Sequence, residues 1–166
     1  MRIRSLAANE LPEKRRLAHE IWHACYPGII PIGQIDYMLT IWYELGAMAR
    51  EMETRDVWFA LIEAENVGPV GYVSFEKVPD EPVVFINKLY IQPPMHGRGL
   101  GAAALSWTAD RAREMGADRL QLRVNKKNAA AIRAYLRGSF VFIEDVVTDI
   151  GSGYVMDDFV LEKVIG

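Results

Sequence analysis

The chain has one cysteine, Cys25, no run of about 18 apolar residues, and no surplus of basic over acidic side chains. Each scarcity excludes something. A single thiol closes no internal disulfide, which fits a reducing, cytoplasmic setting. Its place in an apolar helical segment makes Cys25 a core residue before it makes it a nucleophile. Without a long apolar run no helical membrane span is expected, and Met1-Arg2-Ile3-Arg4 leads into no apolar stretch of the secretory kind. A net charge of −3, with no basic run or patch, leaves no footprint for nucleic acid. An anionic ligand must then be held by local donors. Repeats, low-complexity tracts and linkers are also lacking, so residues 1–166 read as a single domain large enough to bury its own core. With 51% apolar and 25% charged residues, composition is near the globular average.

What is present is punctuated order. Ile3 to Leu6 reads as a first strand, and Pro12 opens a helix to about Cys25, with Leu17, Ile21 and Cys25 on one face. Pro27-Gly28 and Pro31-Ile32-Gly33 break it. One further helix is expected from about Gln34 to Glu53. From Val57 the period changes to that of strands: Val57 to Glu63, then Val70 to Glu76 across a turn at Asn66 to Pro69. Val83 to Ile91 is the next strand. A helix follows the glycine-rich stretch, with Ala102, Leu105, Ala109 and Ala112 at helical spacing, and ends at Gly116. Leu120 to Val124 is a strand, Asn128 to Arg137 a helix. Phe140 to Asp149 and Tyr154 to Val164 form a closing hairpin across Gly151-Ser152-Gly153. The expected class is α/β, an α+β mixed sheet in the order β-α-α-β-β-β-α-β-α-β-β. Its parallel pair is expected between the strand ending at Ile91 and the strand ending at Asn125, because a helix joins them.

The stretch Tyr90 to Gly101 combines a strand end, a double proline and His96-Gly97-Arg98-Gly99-Leu100-Gly101 ahead of a helix. Backbone N–H groups at such a helix start suit a phosphate-bearing ligand. Gly97 to Ala102 also satisfies the GxGxxA dinucleotide pattern. A dinucleotide fold, however, puts that turn after a first parallel strand and closes the next strand on an acid, where this chain has Val124-Asn125. There is no P-loop pattern.

The turn, together with Asn128-Ala-Ala-Ala-Ile-Arg-Ala-Tyr135, resembles the acetyl-CoA site of the GNAT N-acetyltransferases. The element order agrees over nearly the whole chain. The resemblance implies acetyl-CoA as donor, bound by Leu89, Tyr90 and Ile91 along the pantetheine arm. It places the pyrophosphate on His96, Gly97, Arg98, Gly99, Leu100, Gly101 and Ala102, with Asn128 on the cofactor and Tyr135 near its sulfur. A phenol with an ordinary pKa of about 10 stays protonated at neutral pH and can protonate a departing thiolate. As a structural residue, Tyr135 would be a core aromatic instead. His96 stands where the family has Gln or Arg, and Ser139 replaces the glycine before Phe140. Lys88 stands where many relatives carry a glutamate base.

The acceptor is expected to be a small amine or polyamine, acetylated by direct transfer in a ternary complex. Asp157 and Asp158 lie in the last strand, where alternation sends them to opposite faces, so at most one points inward. Asp157 is the candidate catalytic acid, its alternative being a solvated carboxylate paired with a cation. The segment Tyr26 to Leu39, with the GYVMDD stretch, loosely resembles the polyamine-acetylating branch. A module that binds acetyl-CoA without turnover is the alternative function, kept open by Lys88. His19-Glu20-Ile21-Trp22-His23 is a literal HExxH, but an acetyltransferase explains far more of the chain, and no metal is expected. Oligomeric state is left open, a homodimer being compatible with such a domain.

Overall fold

Seven strands and five helices alternate in the order that the periodicity predicts, with one helix more than expected. A computed structural model describes residues 1–166. The strands are β1 (Arg2–Ser5), β2 (Trp58–Ala64), β3 (Gly68–Lys77), β4 (Val83–Ile91), β5 (Arg119–Asn125), β6 (Val141–Gly151) and β7 (Tyr154–Val164). The helices are α1 (Leu11–Cys25), α2 (Ile32–Trp42), α3 (Leu45–Thr54), α4 (Leu100–Glu114) and α5 (Ala129–Arg137). The strand order is β1-β2-β3-β4-β5-β7-β6. Two units make up the fold: residues 1–76 with 87–108, and residues 77–86 with 109–166.

In the first unit β1 pairs antiparallel with β2, and β2 with β3. The β2–β3 hairpin turns at Glu65–Val67, so Gly68 and Pro69 are strand residues rather than the turn residues expected. A register shift at Ile62/Glu63 accommodates the proline. The long helix expected from Gln34 to Glu53 is two. Tyr43 ends α2 with its side chain fully buried, and Glu44 leaves the helical region at φ −65°, ψ 133°. The Glu44 carboxylate then accepts from the N–H groups of Gly46 (2.9 Å) and Ala47 (2.7 Å), capping α3. A stretch whose composition suits one helix therefore turns a corner because a self-capping acid follows a buried aromatic. Leu17 and Ile21 of α1 and Ile35, Met38 and Leu39 of α2 are each at most 1% exposed. Such burial contributes roughly 1.5–3 kcal/mol per side chain.

The small-residue stripe of α4 is phased differently from the expectation. Ala102 is exposed and Leu105 only half-buried. The buried line runs Leu100, Ala104, Thr108 and then Ala112, with Ala109 beside it. Leu100 and Ala104 form a buried cluster with Ile62 and Val70, flanked by Leu89 and Ile91. The phase is set by where the glycine turn releases the chain into helix at Leu100.

In the second unit, Val83 to Ile86 of β4 pairs parallel with Arg119 to Leu122 of β5, as expected from the connecting helix. β5 and β6 each pair antiparallel with β7. No helix is long and apolar enough to cross a membrane.

Candidate active site

The end of β4 and the turn after it are shaped by two close approaches. At Gly71 of β3 an added Cβ would fall well inside contact distance of the Tyr90 carbonyl oxygen and 3.1 Å from Ile91 Cα. Only a glycine lets the strands come this close. Past the strand end, the Gln92 N–H donates to the Val70 carbonyl at 2.8 Å. The prolines then form a single 3-10 turn, Pro93–Met95, which the sequence reading did not foresee. The ring of His96, a residue expected at the cofactor, turns back on the strand, and its Nε2 donates to the Ile91 carbonyl at 2.7 Å. Strand end and turn are thus stapled together by a side chain.

The turn itself is exposed backbone. Gly97 and Gly99 have φ of +75° and +77°, and nothing lies within 4 Å of a Cβ built on either. Their side-chain-free faces are open, and α4 begins immediately after, at Leu100. The first N–H groups of a helix lack intrahelical acceptors and carry the positive end of its dipole. This segment fits a pyrophosphate by its donor chemistry, with Arg98 exposed at its centre. Leu89, Tyr90, Ile91 and Gly97 to Ala102 lie together in the first unit.

Behind β4, on the side of α1 to α3, stands a layer of aromatic side chains. Tyr90 packs against Trp22 (5.4 Å between centroids) and Tyr72 (5.5 Å), and its hydroxyl lies 2.8 Å from that of Tyr26. The Tyr43 and Tyr72 hydroxyls are 2.6 Å apart. Burial pushes both of those phenols well above the usual tyrosine range. Two lysines share this layer. Lys14 is fully buried, with Nζ 3.6 Å from the centre of the Phe59 ring and 3.5 Å from Met48 Sδ. Lys88 Nζ stands 5.3 Å from the Tyr43 ring centre. Burial lowers the proton affinity of both, and for Lys14 the charge of Lys88 adds to the effect. Composition gave no sign of this layer; the sole hint was the aromatic content of Tyr26 to Tyr43.

In the second unit, Asn128 sits at the N-terminus of α5, its Oδ1 accepting from the Ala131 N–H at 3.2 Å. The other end of α5 closes as a full Schellman motif: Ser139 N–H donates to the Leu136 carbonyl and Phe140 N–H to the Tyr135 carbonyl, each at 3.1 Å. The accompanying apolar contact is Tyr135 on Phe140, 5.6 Å between ring centroids. Ser139 pays for this geometry with φ +68°, the conformation that a glycine would adopt freely. The motif fixes the half-buried Tyr135 ring from behind.

Of the adjacent acids, Asp157 is exposed and paired with Lys126 at 2.8 Å, the ammonium also lying 3.3 Å from Asp145. Asp158 is the inward one, 5% exposed, with Oδ1 buried and without a hydrogen-bond partner. Burial pushes its carboxyl up to about 6. Alternation along β7 produces this split, but the sequence did not say which acid faces in.

Two of the three HExxH side chains, Glu20 and His23, have other partners, while His19 Nε2 is buried without a hydrogen-bond partner. Glu20 pairs with Arg16 at 2.5 Å and accepts from Gln92 Nε2 at 2.9 Å. His23 Nδ1 donates to the His19 carbonyl at 2.8 Å, and its Nε2 lies 2.8 Å from Asp36 of α2. No group of three or more His, Cys, Asp or Glu side chains is placed to hold an ion.

Aminoalkylphosphonate N-acetyltransferase of Salmonella typhimurium is 38% identical over 82 residues, covering 49% of this chain and 53% of that protein. Streptothricin acetyltransferase of Streptomyces lavendulae is 42% identical over 57 residues, 34% of this chain and 30% of that protein. The chain spans about half the length, or less, of these curated relatives. The crystal structure of PaiA N-acetyltransferase from Thermoplasma acidophilum, a coenzyme A complex, superposes with a TM-score of 0.78 at 19% identity over 98% of both chains. At that identity the likeness establishes the fold. The acetyltransferase (GNAT) family model matches residues 16–139, most of the sequence, and this chain belongs to that family.

Proposed function

We propose that the chain is an acetyl-CoA-dependent N-acetyltransferase acting on a primary amine of a small molecule. The observation that carries it is the open glycine turn, Gly97 and Gly99 at positive φ with free space on both, released directly from β4 into α4. Acetyl-CoA, when bound, supplies an activated thioester carbonyl and a thiolate leaving group. The backbone N–H groups of Gly97 to Ala102 would hold its pyrophosphate, with Arg98 adding a charge-assisted contact. The strand segment Leu89, Tyr90 and Ile91 would accept the amide-bearing arm as a strand accepts a partner. Asn128 would contribute from the start of α5. Two curated relatives whose names specify acetylation of small molecules support the same chemistry.

Tyr135 is assigned the general acid that returns a proton to the leaving sulfur. The proton-accepting acid is assigned to Asp158 in preference to Asp157, because only Asp158 is buried with an unengaged carboxylate oxygen, whereas Asp157 is neutralised by Lys126. The test is release of CoA from acetyl-CoA across a panel of primary amines. Turnover is expected, with kcat reduced ~100-fold or more in Tyr135→Phe at unchanged acetyl-CoA affinity. Binding of acetyl-CoA without turnover of any amine would establish a non-catalytic module instead. Full kcat in Tyr135→Phe would remove that residue from its role.

A further inference from the structure

Strand alternation puts Lys88 and Tyr90 on one face of β4, either side of Leu89. If the thioester arm lies along Leu89 to Ile91, these two side chains are the first that an incoming acceptor meets on the α1–α3 side. That wall presents one ammonium, Lys88, among hydroxyl groups. Lys88 stands over the Tyr43 ring, Lys14 is buried behind it, and the Tyr26 and Tyr90 hydroxyls adjoin. Lys88 has no carboxylate within ion-pair distance, and Arg55 and Glu76 satisfy each other at 2.8 Å, so the Lys88 ammonium keeps its donors for a ligand.

We propose that the acceptor is a primary amine that also carries an anionic group, a carboxylate or a phosphonate, and that Lys88 is the specificity residue that receives the anion. The inference rests on the acetyltransferase reading and narrows it. An anion at Lys88 Nζ makes a charge-assisted hydrogen bond in a half-buried setting, where solvent screens it less than at the surface. Burial works against the Lys88 proton, and an anion opposes that effect in the same sense as Glu51 already does. A polyamine brings a second ammonium to the same wall, where it meets like charge and loses its water. The discrimination is therefore both attractive toward one class and repulsive toward the other. This departs from the polyamine-like expectation raised by the sequence around Tyr26 to Leu39.

The experiment compares four amines of similar length: β-alanine, aminoethylphosphonate, propylamine and propane diamine. With the native chain, kcat/KM for the two anionic amines is expected to exceed that for propylamine by ~10-fold or more, with the diamine lowest. The carboxylate and phosphonate arms show which anion is preferred. Lys88→Arg should keep the order, Lys88→Met should bring the anionic amines to the level of propylamine through KM, and Lys88→Glu should raise the diamine above them. Acetyl-CoA binding, followed by calorimetry, should be unchanged in all three and so certifies folding. A diamine preferred by the native chain, or an order indifferent to Lys88→Glu, overturns the Lys88 assignment while leaving the acetyltransferase standing. No turnover of any amine overturns both.

Discussion

Ser139 holds a glycine's conformation without being a glycine. At φ +68° its Cβ crowds the following carbonyl, a strain of about 1–2 kcal/mol for an L-residue. It persists because the Schellman hydrogen bonds and the Tyr135–Phe140 contact over-determine the end of α5. Ser139→Gly is expected to raise stability by about 1 kcal/mol in denaturant or thermal melts, partly offset by the greater freedom of glycine in the unfolded chain. An unchanged or lower melt would show that the seryl side chain compensates its own strain. The sequence did show where Asn128 and Tyr135 lie, at the start of α5 and two turns along it, since their spacing and helix are written in local pattern. It did not reveal which of Asp157 and Asp158 faces inward. That depends on the register of β7 against two neighbours, Asn125 and Val146 both standing opposite Asp158, and such pairing is non-local.

Among the elements, the α2–α3 corner shows where periodicity misleads. Residues 34–53 contain no proline after Pro31, and their composition suits one helix. What divides them is the capping carboxylate of Glu44, and a glutamate in the middle of a helical pattern reads as helix former, not as cap. Glu44→Ala should cost about 0.5–2 kcal/mol in a chemical melt by leaving the Gly46 and Ala47 donors without their acceptor. Glu44→Asp, another capping side chain, should recover part of it. The phase of α4 was missed for a related reason. A helix of small residues has no strong apolar stripe, so the turn that launches it, rather than its own sequence, decides which alanines are buried.

Across the molecule, an acidic chain draws two basic side chains inward. The chain is net acidic, yet its first unit encloses Lys14 and half-buries Lys88. For Lys14, cation–π contact with Phe59 can return about 2 kcal/mol, whereas taking an ammonium out of water costs several. Desolvation wins, and the proton affinity falls well below the ordinary lysine value. The sign for folding follows. The unfolded chain keeps the Lys14 proton up to about pH 10.5 while the folded chain has shed it, so stability rises with pH between the depressed folded value and 10.5 and is lost as pH falls. Lys14→Met should remove that slope and raise stability near neutral pH by on the order of 1 kcal/mol. A parent whose melts are flat from pH 7 to 10, or a less stable Lys14→Met, would show the ammonium to be better accommodated than its surroundings indicate. The fold class, the parallel pair and the glycine turn were legible because each is a local pattern or follows from connectivity. The lysine–tyrosine layer was not, since it gathers residues from α1, α2, α3, β3 and β4 that share no spacing.

Gly71 has a consequence for how this sequence can vary. The glycines of the turn face open space, so apart from ligand binding a side chain there meets only the strain of a positive φ, about 1–2 kcal/mol. Gly71 faces the Tyr90 carbonyl and admits no side chain at all in this arrangement of β3 and β4. In a saturation library scored for abundance rather than turnover, position 71 should therefore be depleted of every substitution while positions 97 and 99 are spared more. The most intolerant glycine of the chain would stand outside its glycine-rich motif.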